Sequence, residues 1–235
     1  MNTDFLQGMR SSVPVVVGSA PFGALFGALA VDNGFSVSDA VLMSASVYAG
    51  ASQLVGLDLF GKNIQPWLVV LSIFAVNFRH ILYSASMAPY IKHFSGVQKA
   101  FAFFLLVDPQ YAETEKRHEK GLPVSFSWYL GLGLSVYVPW VAVSALGAFF
   151  GKMIGDPHAL GLDILLPAYF MGLVLGFRQR SHWLPVVVAS SLVSIVAMHF
   201  VGSPWHISIG ALAGLVLAAC MPVTSDTLEG EGAKP

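Results

Sequence analysis

Asn77, Phe78, Arg79 and His80 stand near the centre of a stretch that carries no other formal charge from Asn63 to Ile91. Where such a stretch crosses a bilayer, an arginine at its middle costs about 2.5 to 3.5 kcal/mol. On a helix Asn77, His80 and Ser84 share one face, and Arg79, Tyr83, Ser86 and Tyr90 share another. A helix polar on two faces belongs inside a bundle, turned away from lipid. Arg79 can hold a carboxylate bidentately, either that of a substrate or that of Asp108 in a structural bridge. His80 is either a proton relay or a neutral hydrogen-bonding residue, since its unperturbed pKa lies near 6.5. Asp108 is the acidic residue placed inside an apolar segment away from its ends. It can bind an ammonium, pair with Arg79, take up a proton, or cap a turn together with Pro109.

Two other segments carry chemistry. In Gly18-Ser-Ala-Pro21-Phe22-Gly23 the proline removes a backbone donor and clashes with the preceding turn. A broken helix is expected there, with exposed N–H groups suited to a substrate carboxylate, or else a simple kink with Gly23 and Gly27 packing closely on a neighbour. In the next segment, read as one helix, Ser46, Gly50 and Gln53, with Ser44, Tyr48 and Ser52 beside them, form one small, polar stripe. That stripe must face protein or a cavity, because hydroxyls and amides turned to lipid lose their hydrogen bonds.

The elements that must position these groups are membrane helices. Of 235 residues 55% are hydrophobic and 11% charged, with mean hydropathy +0.69; an ordinary soluble domain is about 25% charged. Uncharged runs cover Ser11–Val31, Ala40–Leu57, Gly121–Gly151 and Ser181–Ser225, each long enough for a span of about 18 or more residues. Apolar segments fall near 13–31, 38–58, 66–90, 97–112, 124–150, 158–177, 183–201 and 205–221. The expected fold is therefore all-α, a polytopic bundle of 7–8 transmembrane spans in a single membrane domain, 1–235, with the fourth segment either crossing or turning back. Ala28-Leu29-Ala30 imitates a signal-peptide cleavage site, but the run before it is long, holds Pro14 and Pro21, and is followed by further spans, so no cleavage is expected.

An internal two-fold repeat is expected from Gly23-Ala-Leu-Phe-Gly27 and Gly147-Ala-Phe-Phe-Gly151, with Asp32/Asp156 and Asp39/Asp163 at the same offset. It divides the chain into a first half, 1–112, a cytoplasmic loop, 113–123, a second half, 124–222, and a cytoplasmic tail, 223–235. Loop charge does not choose between span counts. Eight spans with the N-terminus inside put Lys92, Lys99 and Lys152 outside; seven spans with it outside place Lys92 and Lys99 in the cytoplasm instead. Both put the Lys116–Lys120 region, Arg178, Arg180 and the tail inside.

Several functions lack their usual residues. The net charge of −1 offers no basic block for nucleic acid, and the single Cys220 permits neither an internal disulfide nor a two-cysteine metal site. His-Glu-x-x-His, Gly-x-Ser-x-Gly and the phosphate-binding Gly-x-x-x-x-Gly-Lys are missing from the sequence, so no cofactor is expected.

Taken in order, Pro21-Phe22-Gly23, Tyr48-Ala-Gly50-Ala-Ser52-Gln53, Asn77-Phe-Arg79-His80 with Tyr83-Ser84, and Asp108 followed by Tyr111-Ala112 resemble the AzlC family of branched-chain amino acid exporters, over residues 5 to 222. The resemblance implies secondary active export of leucine, isoleucine, valine and related apolar amino acids across a bacterial inner membrane, driven by inward proton flow. It also implies a small AzlD-type partner with four hydrophobic segments. On this reading Pro21, Phe22, Gly23, Tyr48, Ser52, Gln53, Asn77 and Arg79 bind substrate, and His80 and Asp108 couple protons. Where the family pattern commonly reads Asp-Glu, this chain has Asp108-Pro109-Gln110, which leaves one of two proton carriers unaccounted for.

Overall fold

The computed structural model describes residues 3–60, 65–154, 171–172, 174–202 and 205–222. The chain falls into two compact units, 1–173 and 174–235. Among the described residues the regular structure is all helical. The first unit holds α1 (Thr3–Asp32), α2 (Val37–Val47), α3 (Gly50–Phe60), α4 (Pro66–Met87), α5 (Gly96–Phe104), α6 (Asp108–Glu119) and α7 (Phe126–Ile154); the second holds α8 (Trp183–Phe200) and α9 (Trp205–Cys220). Four described stretches are long and apolar enough to cross a membrane: Thr3–Asp32, Val69–Met87, Phe126–Gly151 and Trp183–Phe200.

The long helices α1 and α7 form the spine of the first unit. They run parallel, Gly8 lying against Trp128 and Leu132 near their starts and Gly27 against Ser144 and Ala148 near their ends. A Cβ added at Gly27 or Gly147 would run into the backbone carbonyl of Ser144 or Ala24 respectively. The two glycine motifs that suggest a repeat thus face each other across one seam, the close packing that small residues allow. This packing also explains why α1 continues through Pro14 and Pro21: of the two expectations at Pro21, a broken helix or close packing through Gly23 and Gly27, the structure shows the second. A proline costs a helix about 3 kcal/mol, and contacts made along the whole length of α7 hold the turns on either side together.

The break lies instead in the second apolar segment. Tyr48 adopts the left-handed conformation at φ 38°, ψ 47°, uncommon for a bulky residue. Its ring is buried against Tyr137 and Phe104, at centroid distances of 4.9 Å and 6.3 Å. The Tyr137 hydroxyl donates to the Ala45 carbonyl at 2.9 Å, one of the last carbonyls of α2, which have no partner within the helix. Beyond Tyr48 the chain reverses: Gln53 returns to Ser44, Gly56 to Met43 and the Phe60 ring to Phe35. The polar stripe drawn on one continuous helix is therefore divided, and Ser46 faces outward, its hydroxyl bonded to the Leu42 carbonyl. Each arm is 11 residues, about 16 Å at 1.5 Å per residue, half of the ~30 Å hydrocarbon layer. The segment near 38–58 folds back as a half-depth helical hairpin, hairpin 1.

The fourth segment does the same from the other end. Helix α5 runs alongside the start of α7, with the Tyr129 hydroxyl donating to the Ala102 carbonyl at 2.9 Å and Leu105 against Gly133. The chain turns at Leu105–Val107, and α6 retraces the path, Gln110 donating to the Tyr129 carbonyl and Arg117 lying over the Trp128 ring. Pro109 in the first turn of α6 needs no intrahelical donor there. The stretch expected as a loop at 113–123 is largely the outer part of this helix. Both hairpins open with a serine capping box, Ser36 with Asp39 and Ser95 with Gln98. The Ser36 hydroxyl and N–H hold the Asp39 carboxyl below the ordinary carboxylate range.

Each hairpin follows a long helix and enters from the end where that helix finishes. Hairpin 1 enters from the Asp32 end of the bundle; α4 then runs to the Thr3 end, and hairpin 2 (α5–α6) enters from there. Two fold-backs leave α1 and α7 parallel, so the direction of α7 is not evidence that the fourth segment crosses. Six of the basic residues, Arg10, Lys92, Lys99, Lys116, Arg117 and Lys120, consequently gather at the Thr3 end.

In the second unit α8 and α9 are antiparallel, with Gly210 and Gly214 against Ser190 and Ser194 or Val186, and the Ser190 hydroxyl on the Gly210 carbonyl at 2.8 Å. Asp156 and Asp163, the remainder of the sequence repeat, and the tail 223–235 lie outside the described residues.

Candidate functional site

The tips of the two hairpins meet around a cavity of about 70 Å³, several times the ~10–15 Å³ that admits one water. Hairpin 1 contributes Tyr48, Gly50, Ala51 and Leu54, and hairpin 2 contributes Val107, Asp108 and Pro109; α1 adds Ser19 and Phe22, and α7 adds Val136 and Trp140. The wall is largely apolar; the side chains on it that carry polar atoms are Ser19, Tyr48, Asp108 and Trp140. Gly50 and Ala51 open α3, so the N–H groups and positive dipole end of that helix adjoin the cavity. A side chain at Gly50 would meet the Trp140 ring at 2.9 Å, which is why backbone can line the cavity there.

Asp108 is fixed from α4. Arg79 Nη1 lies 3.1 Å from Asp108 Oδ1, and the Tyr83 hydroxyl donates to the same oxygen at 2.8 Å. The two charged side chains are 21% and 15% exposed, so each offsets much of the other's cost of leaving water. The pairing continues outward toward the Thr3 end. Tyr83 stacks on Tyr111 at 4.4 Å, Tyr111 donates to Ser86, Ser86 donates to Glu115 at 2.8 Å, and Tyr90 stacks on His118 at 4.0 Å. Residues 79, 83 and 86 of α4, and Tyr90 in the turn that follows it, thus meet 108, 111, 115 and 118 of α6.

Hairpin 1 is held differently, by neutral groups. Gln53 donates to Ser44 at 3.1 Å, Ser44 to Ser144 at 2.8 Å, and Ser52 to Asn77 at 2.8 Å. Ser44, Ser52, Gln53 and Ser144 are buried to within 1% of full burial. The Gln53 carbonyl oxygen has no partner among the described residues.

Of the residues singled out in the sequence, Phe22, Tyr48 and Asp108 line the cavity. Pro21 lies within unbroken α1, and Gly23 faces Trp140 across the α1–α7 seam. Ser52, Gln53 and Asn77 fasten hairpin 1 to α4 and to the bundle, and Arg79 reaches the cavity through Asp108. His80 is half-buried beside the Tyr83 ring, at 5.8 Å, and its Nδ1 has no partner among the described residues. Trp140, Val136 and Leu54 escaped sequence reading because an apolar residue gives no sign of which wall it faces. Glu115 escaped it because the polar run Glu113–Glu119 reads as a solvated loop, whereas the side chain is buried at 4% exposure.

A family model described as AzlC protein matches residues 14–154. The chain is 32% identical over 219 residues to the inner membrane protein YgaZ of Escherichia coli, covering 91% of this chain and 89% of that protein. An uncharacterized membrane protein of Archaeoglobus fulgidus is 32% identical over 69% of this chain and 75% of its own length. The branched-chain amino acid transport protein AzlC of Bacillus subtilis is 24% identical over 76% of this chain and 70% of its own length. No solved structure matches the chain. The matched span of 14–154 takes in both hairpins, the α4–α6 stripes and nearly all of the α1–α7 spine, so the chain is a helical membrane protein of the AzlC family.

Proposed function

We propose that this protein is a secondary exporter of branched-chain and related apolar amino acids, driven by inward proton flow and working with a small four-helix AzlD-type membrane subunit. The observation that carries the reading is the cavity between two broken helices, apolar on most walls and supplied with one carboxylate. Discontinuous helices meeting at the midplane are a common way for transporters to hold a substrate's charged groups. The amino acid's ammonium is placed at Asp108, its carboxylate at the N–H groups that open α3, and its branched side chain against Phe22, Leu54, Val136 and Trp140. Proton uptake at Asp108 or His80 biases the alternation between faces, and a ligand shifts that equilibrium only by its differential affinity for the two states. The Thr3 end faces the cytoplasm on this reading, because the six basic residues gathered there obey the positive-inside rule; the C-terminal tail faces the same compartment, and the membrane is a bacterial inner membrane.

Flux of labelled leucine in proteoliposomes, with and without the small subunit and with an imposed pH gradient, tests the proposal. Leucine leaving the face equivalent to the cytoplasm as protons move the other way is expected. No movement of leucine, valine or methionine under any of these conditions removes the substrate assignment.

A further inference from the structure

We infer that the Trp140 indole, seated against Gly50, is the size gauge of the side-chain pocket and sets the largest apolar amino acid that the cavity accepts. The inference deepens the transport reading and rests on it. Trp140 is the largest of the side chains that line the cavity, and it joins three elements. On α7 it stands one turn beyond Val136, which lines the same cavity, and one turn before Ser144, which fastens hairpin 1 through Ser44. A Cβ added at Gly23 of α1 would lie 3.6 Å from Trp140 Cε3, and one added at Gly50 would lie 2.9 Å from Cη2 and 3.2 Å from Cζ2. The ring therefore reaches from α7 past α1 to the first residue of α3.

Packing sets the position of this ring. A buried indole N–H usually finds an acceptor, but Trp140 Nε1 is buried with no partner among the described residues. No hydrogen bond to a described residue anchors it. The tight seat is Gly50, since an added methyl at Gly23 would make only ordinary contact with the ring edge. Gly50 does not adopt the left-handed conformation that calls for glycine on its own, and it stands in a helix, where glycine is disfavoured relative to alanine. What the missing side chain supplies is room for the indole.

That seat places the ring where it measures a side chain. With the substrate's carboxylate at the N–H groups that open α3, a ring lying on Gly50 flanks the amino acid from its first side-chain carbons outward. Val136 and Leu54 continue the wall, one turn along α7 and α3 respectively. Aliphatic side chains such as these adjust by changing rotamer, whereas a planar ring resting on the backbone of Gly50 cannot retreat toward α3. Two substitutions therefore act in opposite senses. A smaller residue at position 140 enlarges the pocket. A methyl at position 50 displaces the ring, and because interiors are close-packed the ring moves into the open space beside it, which is the cavity.

Equilibrium binding to the full chain in detergent, with and without the small subunit, tests this, with unlabelled valine, leucine and phenylalanine competing against labelled leucine. Trp140→Leu is expected to raise the affinity for phenylalanine relative to leucine by about tenfold, the scale on which a methylene counts in an apolar pocket. Trp140→Phe, a smaller change that keeps an aromatic wall, is expected to move the ratio in the same direction by less, and it answers the question if Trp140→Leu does not fold. Gly50→Ala is expected to favour valine over leucine by about tenfold, and to lose that effect when combined with Trp140→Leu, since the two residues act through one contact. An unchanged ratio of phenylalanine to leucine in the Trp140 variants, or an equal loss of all three ligands, marks the indole as packing only and overturns the inference while the parent's leucine binding leaves the transport reading in place. A parent protein that binds none of the three removes the substrate assignment, and the gauge falls with it.

Discussion

The chemistry at the residue scale is that of one ion pair placed where ions are expensive. Arg79 and Asp108 each offset the other's cost of leaving water, and both Arg79 and the Tyr83 hydroxyl meet the same carboxylate oxygen, Asp108 Oδ1. Removing one partner of a buried pair leaves an uncompensated charge and costs on the order of 3 kcal/mol. Asp108→Asn is thus expected to lower the melting temperature in detergent and to abolish gradient-driven flux. Arg79→Lys, which keeps the charge but loses the planar fork, is expected to melt near the parent with reduced flux. The double variant Asp108→Asn/Arg79→Gln should regain stability without regaining flux. Recovery of flux in the double variant would show that the pair is structural only.

At the scale of elements, small residues decide where helices approach and strained residues decide where they stop. The α1–α7 seam depends on glycines that face backbone: a Cβ at Gly27 would meet the Ser144 carbonyl, while one at Gly96, in the first turn of α5, would meet nothing within 4 Å. Gly27→Ala is expected to destabilise the first unit by about 1 to 3 kcal/mol through overpacking. Gly96→Ala, on a helix, is expected to be neutral or stabilising by up to about 1 kcal/mol. Paired thermal unfolding measurements on the two variants distinguish a close-packed seam from a general intolerance of α1 to change. The helix break at Tyr48 obeys a different rule. No proline or glycine stands at the left-handed position; the tyrosine is held there by Tyr137 and Phe104, which come from distant parts of the chain.

For the whole molecule the consequence is an arrangement of half-depth hairpins from opposite ends, each following a long helix that finishes at its own end. Residues flanking hairpin 1 must then lie on one side of the membrane and those flanking hairpin 2 on the other. In a Cys220→Ser background, single cysteines at Asn33 and Gln65 are expected to react with an impermeant thiol reagent from the same side, and cysteines at Lys92 and Leu122 from the opposite side. Asn33 and Gln65 reacting from opposite sides would mean that the second segment crosses after all. The basic residues at the Thr3 end predict that Lys92 and Leu122 share the cytoplasmic side.

The sequence by itself determined the solvent and the chemistry. Its apolar runs are too long and too free of charge for water, and Arg79 and Asp108 stand out because ionised groups within such runs are costly. Glycine spacing also marked the surfaces of α1 and α7 that pack closely. What the sequence left open was whether a given apolar segment crosses or returns, because hydropathy measures how much of a segment lipid tolerates and carries no information about its direction. Only tertiary contacts decided that: Tyr137 on the Ala45 carbonyl, Phe60 on Phe35, and the row from Arg79 of α4 to Tyr90 in the turn after it against the α6 stripe from Asp108 to His118. Those long-range pairings made a cavity from residues that the sequence scatters over four helices and more than a hundred positions. They also buried Glu115 in a run whose polarity, read locally, belongs to water.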